Sequence, residues 1–330
     1  MSNSKMLNLG SLCRFLKYND NYLILTHSSP DGDTLGSAYA LALGLISMGK
    51  RATVKCSDEI PRRYKFFIHP ANLKDFKYET VIAVDVADAK LLGSKYADLA
   101  DKIDLNIDHH ISNTGYAKNL YLDSSASATA ECIYALLKKM HVRITPVMAT
   151  ALYTGIATDT GCFKYANVTA KTHEIAAELY KLGIDAAEIN HLMFDTKSKA
   201  RLELEKMVLE TAEFHFNNKC ILLPVTAEMQ RVSGCEKSDL DGVAVISRSV
   251  EGVLAGISVK EQIEDGSFKI SLRTYEPLDA SAICQTLGGG GHKAAAGCTL
   301  HGSLEEVKAQ ILSAVEKALE DCNAGTYTDK

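Results

Sequence analysis

The 330-residue chain has no Cys-x-x-Cys pair, no apolar run near the ~18 residues that cross a bilayer, and no internal repeat or low-complexity tract. The first absence argues against structural zinc, the second against a helical membrane span, the third against a repeat architecture. Nine scattered cysteines without regular spacing read as reduced thiols. The first twenty residues, MSNSKMLNLGSLCRFLKYND, lack both a continuous apolar core and a cleavage site, so no targeting segment is expected and the expected location is cytoplasmic. An excess of positive charge is missing too: net charge is −5, with acidic and basic residues mixed along the chain. Long nucleic acid is bound by Lys and Arg that neutralise many phosphates, so neither long duplex nor membrane is an expected partner. A small phosphate-bearing substrate stays open, because divalent cations can invert the charge of an acidic pocket.

What is present is an ordinary globular composition, 46% apolar, in a chain long enough for two domains. In the first half, β-branched runs at 22–26, 52–56, 80–84 and 103–107 alternate with helical patterns at 34–48, 127–140, 146–158 and 170–182. Such alternation predicts an α/β domain with a parallel sheet. Pro146 suits the first turn of its helix, where a missing N–H costs nothing. From 184 to 214 the sequence is helical and charged without a Gly or Pro cluster, which predicts a structured connector rather than a floppy linker. The run KSKARLELEK within it reads as a solvated helix face with i,i+4 pairing. Strands are expected near 220–224, 242–247, 253–260 and 268–273, then a helix, a glycine run and a last helix over 304–319: a smaller α+β domain. The end, NAGTYTDK, reads as a frayed tail. The expected boundaries are 1–185, a connector at 186–212, and 213–330.

Three strands of the first half end in chemically loaded residues: His27 after the first, Asp85 after the third, and Asp108-His109-His110 after the fourth. Parallel sheets bind ligands beyond the carboxyl ends of their strands, so these ends converge on one edge. THSSPDGDTLGS adds Asp31 and Asp33 to His27 on a strand-to-helix loop. Asp33 or Thr34 could simply cap the next helix, and Pro30-Asp31-Gly32 could be a turn. Asp85 ends an apolar strand, and a buried acid there needs a counter-charge or a metal. Asp88 is more easily read as a cap. Asp159, in TDTG, closes a helical stretch.

A set rich in His and Asp suits Mn²⁺ or a similar divalent ion. Phosphoester hydrolysis uses two such ions ~3.5–4 Å apart, which activate water and hold charge on the attacking and leaving oxygens. Asp85, central among the strand ends, is the best candidate for a carboxylate shared between them. The second half offers LGGGGHKAAAG, where consecutive glycines let backbone N–H groups approach an anion. It lacks the spacing of the dinucleotide fingerprint, and a tight turn feeding the following strand is the alternative reading. His292 and the strand-borne Arg273 could add cationic contacts to phosphate, although Arg273 read singly is a surface strand residue.

Taken in order, HSSPDGD, VDVAD, DHH, TDTG and GGGGHKAAAG resemble the DHH phosphoesterase family with its DHH-associated C-terminal domain, over nearly the whole chain. Within it the length most resembles the nanoRNase/pAp phosphatase type. The resemblance implies an active site in the interdomain cleft and two divalent metals, Mn²⁺ by expectation. One metal would be held by His27, Asp31 and Asp85, the other by Asp33, Asp85, His109 and Asp159. It implies that His110 faces the scissile phosphate and that Asp108 orients its neighbours. Arg273, Gly289, Gly290, Gly291 and His292 would bind the terminal phosphate or nucleotide. The SRKKQ-type motif of family II pyrophosphatases is absent.

The expected activity is hydrolysis of short oligoribonucleotides to 5′-mononucleotides and dephosphorylation of pAp, by in-line attack. A phosphodiesterase of cyclic or linear di-adenylate would use the same site. A nucleotide-binding regulator without catalysis is the rival of another class, and the intact acidic set speaks against it. Apolar residues on the connecting helices offer a surface for a homodimer.

Overall fold

Six parallel strands build the sheet of the first unit in the computed structural model, which describes residues 4–68 and 76–325. In chain order the elements are β1 (Lys5–Met6), α1 (Leu9–Tyr18), β2 (Tyr22–Leu25), α2 (Gly32–Ser47), β3 (Ala52–Lys55), β4 (Thr80–Val84), β5 (Leu105–Asp108) and β6 (Asn119–Leu122). The helices α3 (Thr129–Lys139), α4 (Pro146–Asp159), α5 (Ala170–Tyr180) and α6 (Ala186–Asn190) follow. The strand order is β1-β6-β5-β4-β2-β3. From β2 the chain runs through α2 to β3 on one side, then returns to β4 on the other. The direction of winding therefore reverses between β2 and β4, and the carboxyl ends of those strands border a crevice there.

The apolar runs are continuous because both sheet faces are covered. Tyr22, Ile24, Ile82, Val84, Leu105 and Ile107 pack against α2, α3 and α4. The alternate residues Leu23, Leu25, Val81 and Ala83 pack with Leu92, Leu99 and Ile103 on the opposite face. Each fully buried Leu or Ile contributes about 1.5–3 kcal/mol, so the strand ends are carried on a rigid frame.

The second unit, Lys197–Lys330, has its own core. Its elements are α7 (Lys199–Glu210), β7 (Glu213–His215), β8 (Cys220–Val225), α8 (Ala227–Ser233), α9 (Val243–Ile246), β9 (Ala255–Glu261), β10 (Phe268–Thr274), α10 (Ala280–Gln285), β11 (Gly290–His292), β12 (Ala295–Leu300) and α11 (Leu304–Gly325). The sheet order is β11-β12-β10-β9-β8-β7. Its pairings are antiparallel apart from β8 with β9. One face packs on α10 and α11 through Ile283, Val307, Ile311 and Val315. The other packs on α7 through Leu204 and Val208.

Several expectations shift. The run 242–247 is not a strand: Val243 and Ala244 are buried while Val245 is 54% exposed, a helical rather than an alternating pattern, and residues 243–246 form α9. The 186–212 stretch expected as a connector divides between the units, with Ile189 in the first core and Leu204 and Val208 in the second. The charged run there is only partly solvated. Glu205 is buried and takes Arg201 at 2.9 Å, the expected i,i+4 pair, and Lys197 at 2.6 Å. Of the expected frayed end, 326–330 lie outside the described residues and 323–325 continue α11.

Candidate metal centre

The helix after β2 begins at Gly32, and its cap is Asp31 rather than Asp33 or Thr34. One oxygen of Asp31 accepts from the backbone N–H groups of Asp33 and Thr34, at 3.0 and 3.1 Å. Capping fixes that carboxylate next to His27, whose Nε2 lies 3.6 Å from it. Freed from capping its own helix, Asp33 points inward and is fully buried. It accepts from Thr129 N at 2.6 Å, Ala130 N at 2.9 Å and Ser37 Oγ at 3.1 Å. Those two amides open α3, whose own cap position, Ala128, supplies no side chain.

Asp85, directly after β4, is 3% exposed and takes a left-handed backbone conformation, φ 60°. A non-glycine residue in that region is strained, and such strain gathers at functional sites. Its Oδ1 accepts from Thr129 Oγ1 at 2.8 Å. Around it stand three imidazoles: His27 Nε2 at 3.8 Å, His109 Nε2 at 3.8 Å and His110 Nδ1 at 3.6 Å. Asp159, the last residue of α4, places Oδ2 3.3 Å from His109 Nε2.

The imidazoles are oriented from behind. His27 Nδ1 meets the Ser28 carbonyl at 2.7 Å and His109 Nδ1 meets the Ala126 carbonyl at 3.1 Å. A neutral imidazole donating there would turn its Nε2 lone pair toward the carboxylates, the arrangement of metal-binding histidines. His109 Nε2 is buried with no hydrogen-bond partner, so it lacks the contact that a cation would provide. His110 differs: it is its Nδ1 that meets a carboxylate, 2.7 Å from Asp108 Oδ1. Asp108, fully buried, also accepts from the backbone N–H groups of His109 and His110 and from Asn113 Nδ2.

The electrostatics agree. Burial raises the carboxyl groups of Asp33, Asp85 and Asp159; the charges of Asp85 and Asp31 raise Asp33 further, those of Asp33 and Asp85 raise Asp159, and that of Asp31 raises Asp85 against the three histidines, which lower it. Burial works against a charged His27, yet the hydrogen bond and charge of Asp31, with Asp85 and the Ser28 carbonyl, raise it to about 10. His110 is likewise disfavoured by burial but raised to about 9 by Asp108 and Asp85. Acids crowded out of water need cations or protons. Two sets of three ligand atoms lie within 4.8 Å of one another, His27–Asp31–Asp85 and Asp33–His109–Asp159, and a third combines Asp85, His109 and His110.

All six residues expected as metal ligands thus come together. Thr129, Asn113 and the Ala126 carbonyl were not anticipated. A threonine before an apolar helix reads as a cap, and nothing local shows that it reaches Asp85. In the second unit, Arg273 pairs with Ala295, and Ala295 with His292, so the three share one face of the sheet. The glycine run forms the strand β11 and its entry. Gly289 and Gly291 approach β12 so closely that neither leaves room for a Cβ.

The profile of the DHH family, N-terminal domain, matches residues 21–156, and that of the DHHA1 domain matches 226–321. The chain is 34% identical to a bifunctional oligoribonuclease and PAP phosphatase NrnA from Thermus thermophilus, over 90% of this chain and 89% of that protein. It is 24% identical to the protein of that name from Bacillus subtilis, over 88% and 92%. An exopolyphosphatase-related protein from Bacteroides fragilis has a similar structure, with a TM-score of 0.84, 25% identity and 95% coverage of each chain. RecJ from Thermus thermophilus in complex with Mn²⁺ shares the fold at a TM-score of 0.52 and 16% identity, over 93% of this chain and 54% of that one.

Proposed function

The chain belongs to the DHH family, and from that premise we propose that it is a two-metal phosphoesterase of short nucleotides, cleaving small oligoribonucleotides to 5′-mononucleotides and dephosphorylating pAp. The observation that carries this reading is the buried Asp85 carboxylate, with the unpartnered Nε2 of His109 on one side and His27 on the other. The names of the relatives, oligoribonuclease and PAP phosphatase, support the substrate class. The acidic donor set, and the Mn²⁺ held by the RecJ of like fold, support divalent cations.

The donor set fits hard cations: carboxylate oxygens with two imidazoles and no thiolate. In our reading His27, Asp31 and Asp85 hold one ion, Asp33, Asp85, His109 and Asp159 hold the other, and both are Mn²⁺. When bound, such ions activate water and neutralise phosphate charge. The protein's own groups do the rest. Thr129 and the head of α3 fix Asp85 and Asp33. His110, kept charged by Asp108, holds a proton at Nε2 for the leaving oxygen. In the second unit, Arg273, His292 and the backbone of Gly289, Gly290 and Gly291 bind the terminal phosphate.

Among the described residues no helix is long and apolar enough to cross a membrane. The test is turnover by purified protein with Mn²⁺ of pAp, a labelled RNA dinucleotide, pApA and cyclic di-adenylate. We expect mononucleotide from the short RNA and phosphate from pAp. Faster cleavage of the di-adenylates would move the assignment to them, and no hydrolysis of any would remove it.

A further inference from the structure

Directly beyond Asp159 the backbone takes an unfavourable path. Gly161, Cys162 and Phe163 are all left-handed, with φ of 56°, 59° and 61°, although two of the three carry a Cβ. Several contacts impose this turn. Cys162 N donates to Ala157 O at 2.7 Å, and Lys164 N and Tyr165 N donate to Thr160 O at 2.9 and 3.1 Å. Phe163 N donates to Thr160 Oγ1 at 3.1 Å, and the Phe163 ring packs against Tyr153 and stacks on His173. Asn167 Nδ2 then reaches back to the Asp159 carbonyl at 3.2 Å.

What the turn achieves is the placement of one ring. Phe163 serves the core, but Tyr165, two residues on, is 40% exposed and lies against the backbone of Gly161, where a Cβ would fall among the ring atoms. Gly161 is two residues from Asp159, a span of at most about 7 Å. Strain of this kind persists where the surroundings enforce it and is concentrated at ligand sites. An exposed aromatic ring, a nucleotide away from a candidate metal ligand, has the chemistry of a stacking platform.

We propose that Tyr165 is the surface on which a nucleobase of the substrate stacks while its phosphate lies at the Asp159 side of the metal centre. The proposal rests on the nucleotide-phosphoesterase reading and adds the base contact to it. Stacking of this kind accepts any base, so it selects nucleotides over other phosphate esters without selecting a sequence.

The chain contains no tryptophan, so Tyr165→Trp introduces one indole at the platform, read by excitation beyond the tyrosine band. The full-length variant, with Mn²⁺, is titrated with AMP and, separately, with ribose 5-phosphate, which has the same phosphate but no base. Saturable quenching by AMP and none by ribose 5-phosphate is expected. Equal responses to the two, or no response to AMP, would overturn the proposal even if the wild type hydrolyses nucleotides. In parallel, Tyr165→Ala should raise KM for pApA about 5- to 150-fold with little change in kcat, and Tyr165→Phe should restore it. An unchanged KM in Tyr165→Ala, or a loss that Tyr165→Phe does not rescue, would count against stacking. Quenching by AMP without wild-type hydrolysis of any nucleotide would leave the platform standing and remove the phosphoesterase reading.

Discussion

The carboxylate of Asp33 accepts the backbone N–H of Thr129 at 2.6 Å, joining two residues 96 positions apart in the chain. The same threonine donates its hydroxyl to Asp85 at 2.8 Å. One residue at the head of α3 therefore aims two of the candidate ligands, and the helix end is capped by the carboxylate it orients.

Thr129→Val removes the hydroxyl but keeps the backbone contact to Asp33. Turnover or metal affinity should fall about 10- to 100-fold, the usual cost of losing a group that orients a ligand. The melting temperature should stay near that of the wild type, and Thr129→Ser should recover activity. Undiminished turnover of Thr129→Val would show that Asp85 is positioned by something else.

Gly155 on α4 lets that helix approach Asp33: a Cβ there would lie 2.9 Å from both Asp33 Oδ1 and the Ala130 Cβ. Gly155→Ala should destabilise the protein by about 1–3 kcal/mol through overpacking, read as a lower urea midpoint. It should also weaken metal binding, because the displaced atom is an oxygen of a candidate ligand. A variant as stable and as metal-rich as the wild type would contradict the packing.

Asp108→Asn leaves the shape of the hydrogen-bonding group but removes its charge. Asp108 helps to hold His110 charged up to about pH 9. Without that charge the pKa of His110 should fall towards 6.5, and the alkaline limb of the rate profile should move to lower pH. An alkaline limb at the same pH in both proteins would exclude His110 as the proton donor.

Metal-free protein should lose stability as pH rises. Asp33, Asp85 and Asp159 have raised pKa values, and His27 and His110 are raised to about 10 and about 9. A raised folded pKa gives stability that is complete below the unfolded value and lost as pH passes the folded one. Divalent cations replace those protons, so the rise in melting temperature on adding Mg²⁺ should be larger at pH 8.5 than at pH 6. A rise independent of pH would mean that the ions bind elsewhere.

The sheet of the first unit was legible because β2 and β4 are buried on both faces, which leaves unbroken apolar runs. The edge strands were not. Met6 in β1 is exposed and β6 is only half-buried, so neither carries a pattern. The run at 243–246 shows the converse, since a short apolar stretch does not declare its period until one residue, Val245, is known to face out.

The candidate ligands stand out in the sequence for a different reason. A charged residue at the end of an apolar strand has no structural excuse, and three such ends fall at one edge of a parallel sheet. The capping of α2 stays open in the sequence because Asp-Gly-Asp-Thr offers several caps, and only the fold shows Asp31 as the cap and Asp33 engaged with another helix. Thr129 acts through tertiary contacts alone and leaves no local signal, while Asn113 reaches Asp108 across the turn that follows β5.

The central claim is that Asp85 is shared between two cations. Its most direct test is the metal content per chain of wild type and Asp85→Asn, measured with pApA turnover on the same samples. The expected result is two ions and AMP release for the wild type, and for a folded Asp85→Asn the loss of at least one ion with turnover down more than about 100-fold. Asp85→Asn retaining both ions and full turnover would contradict it.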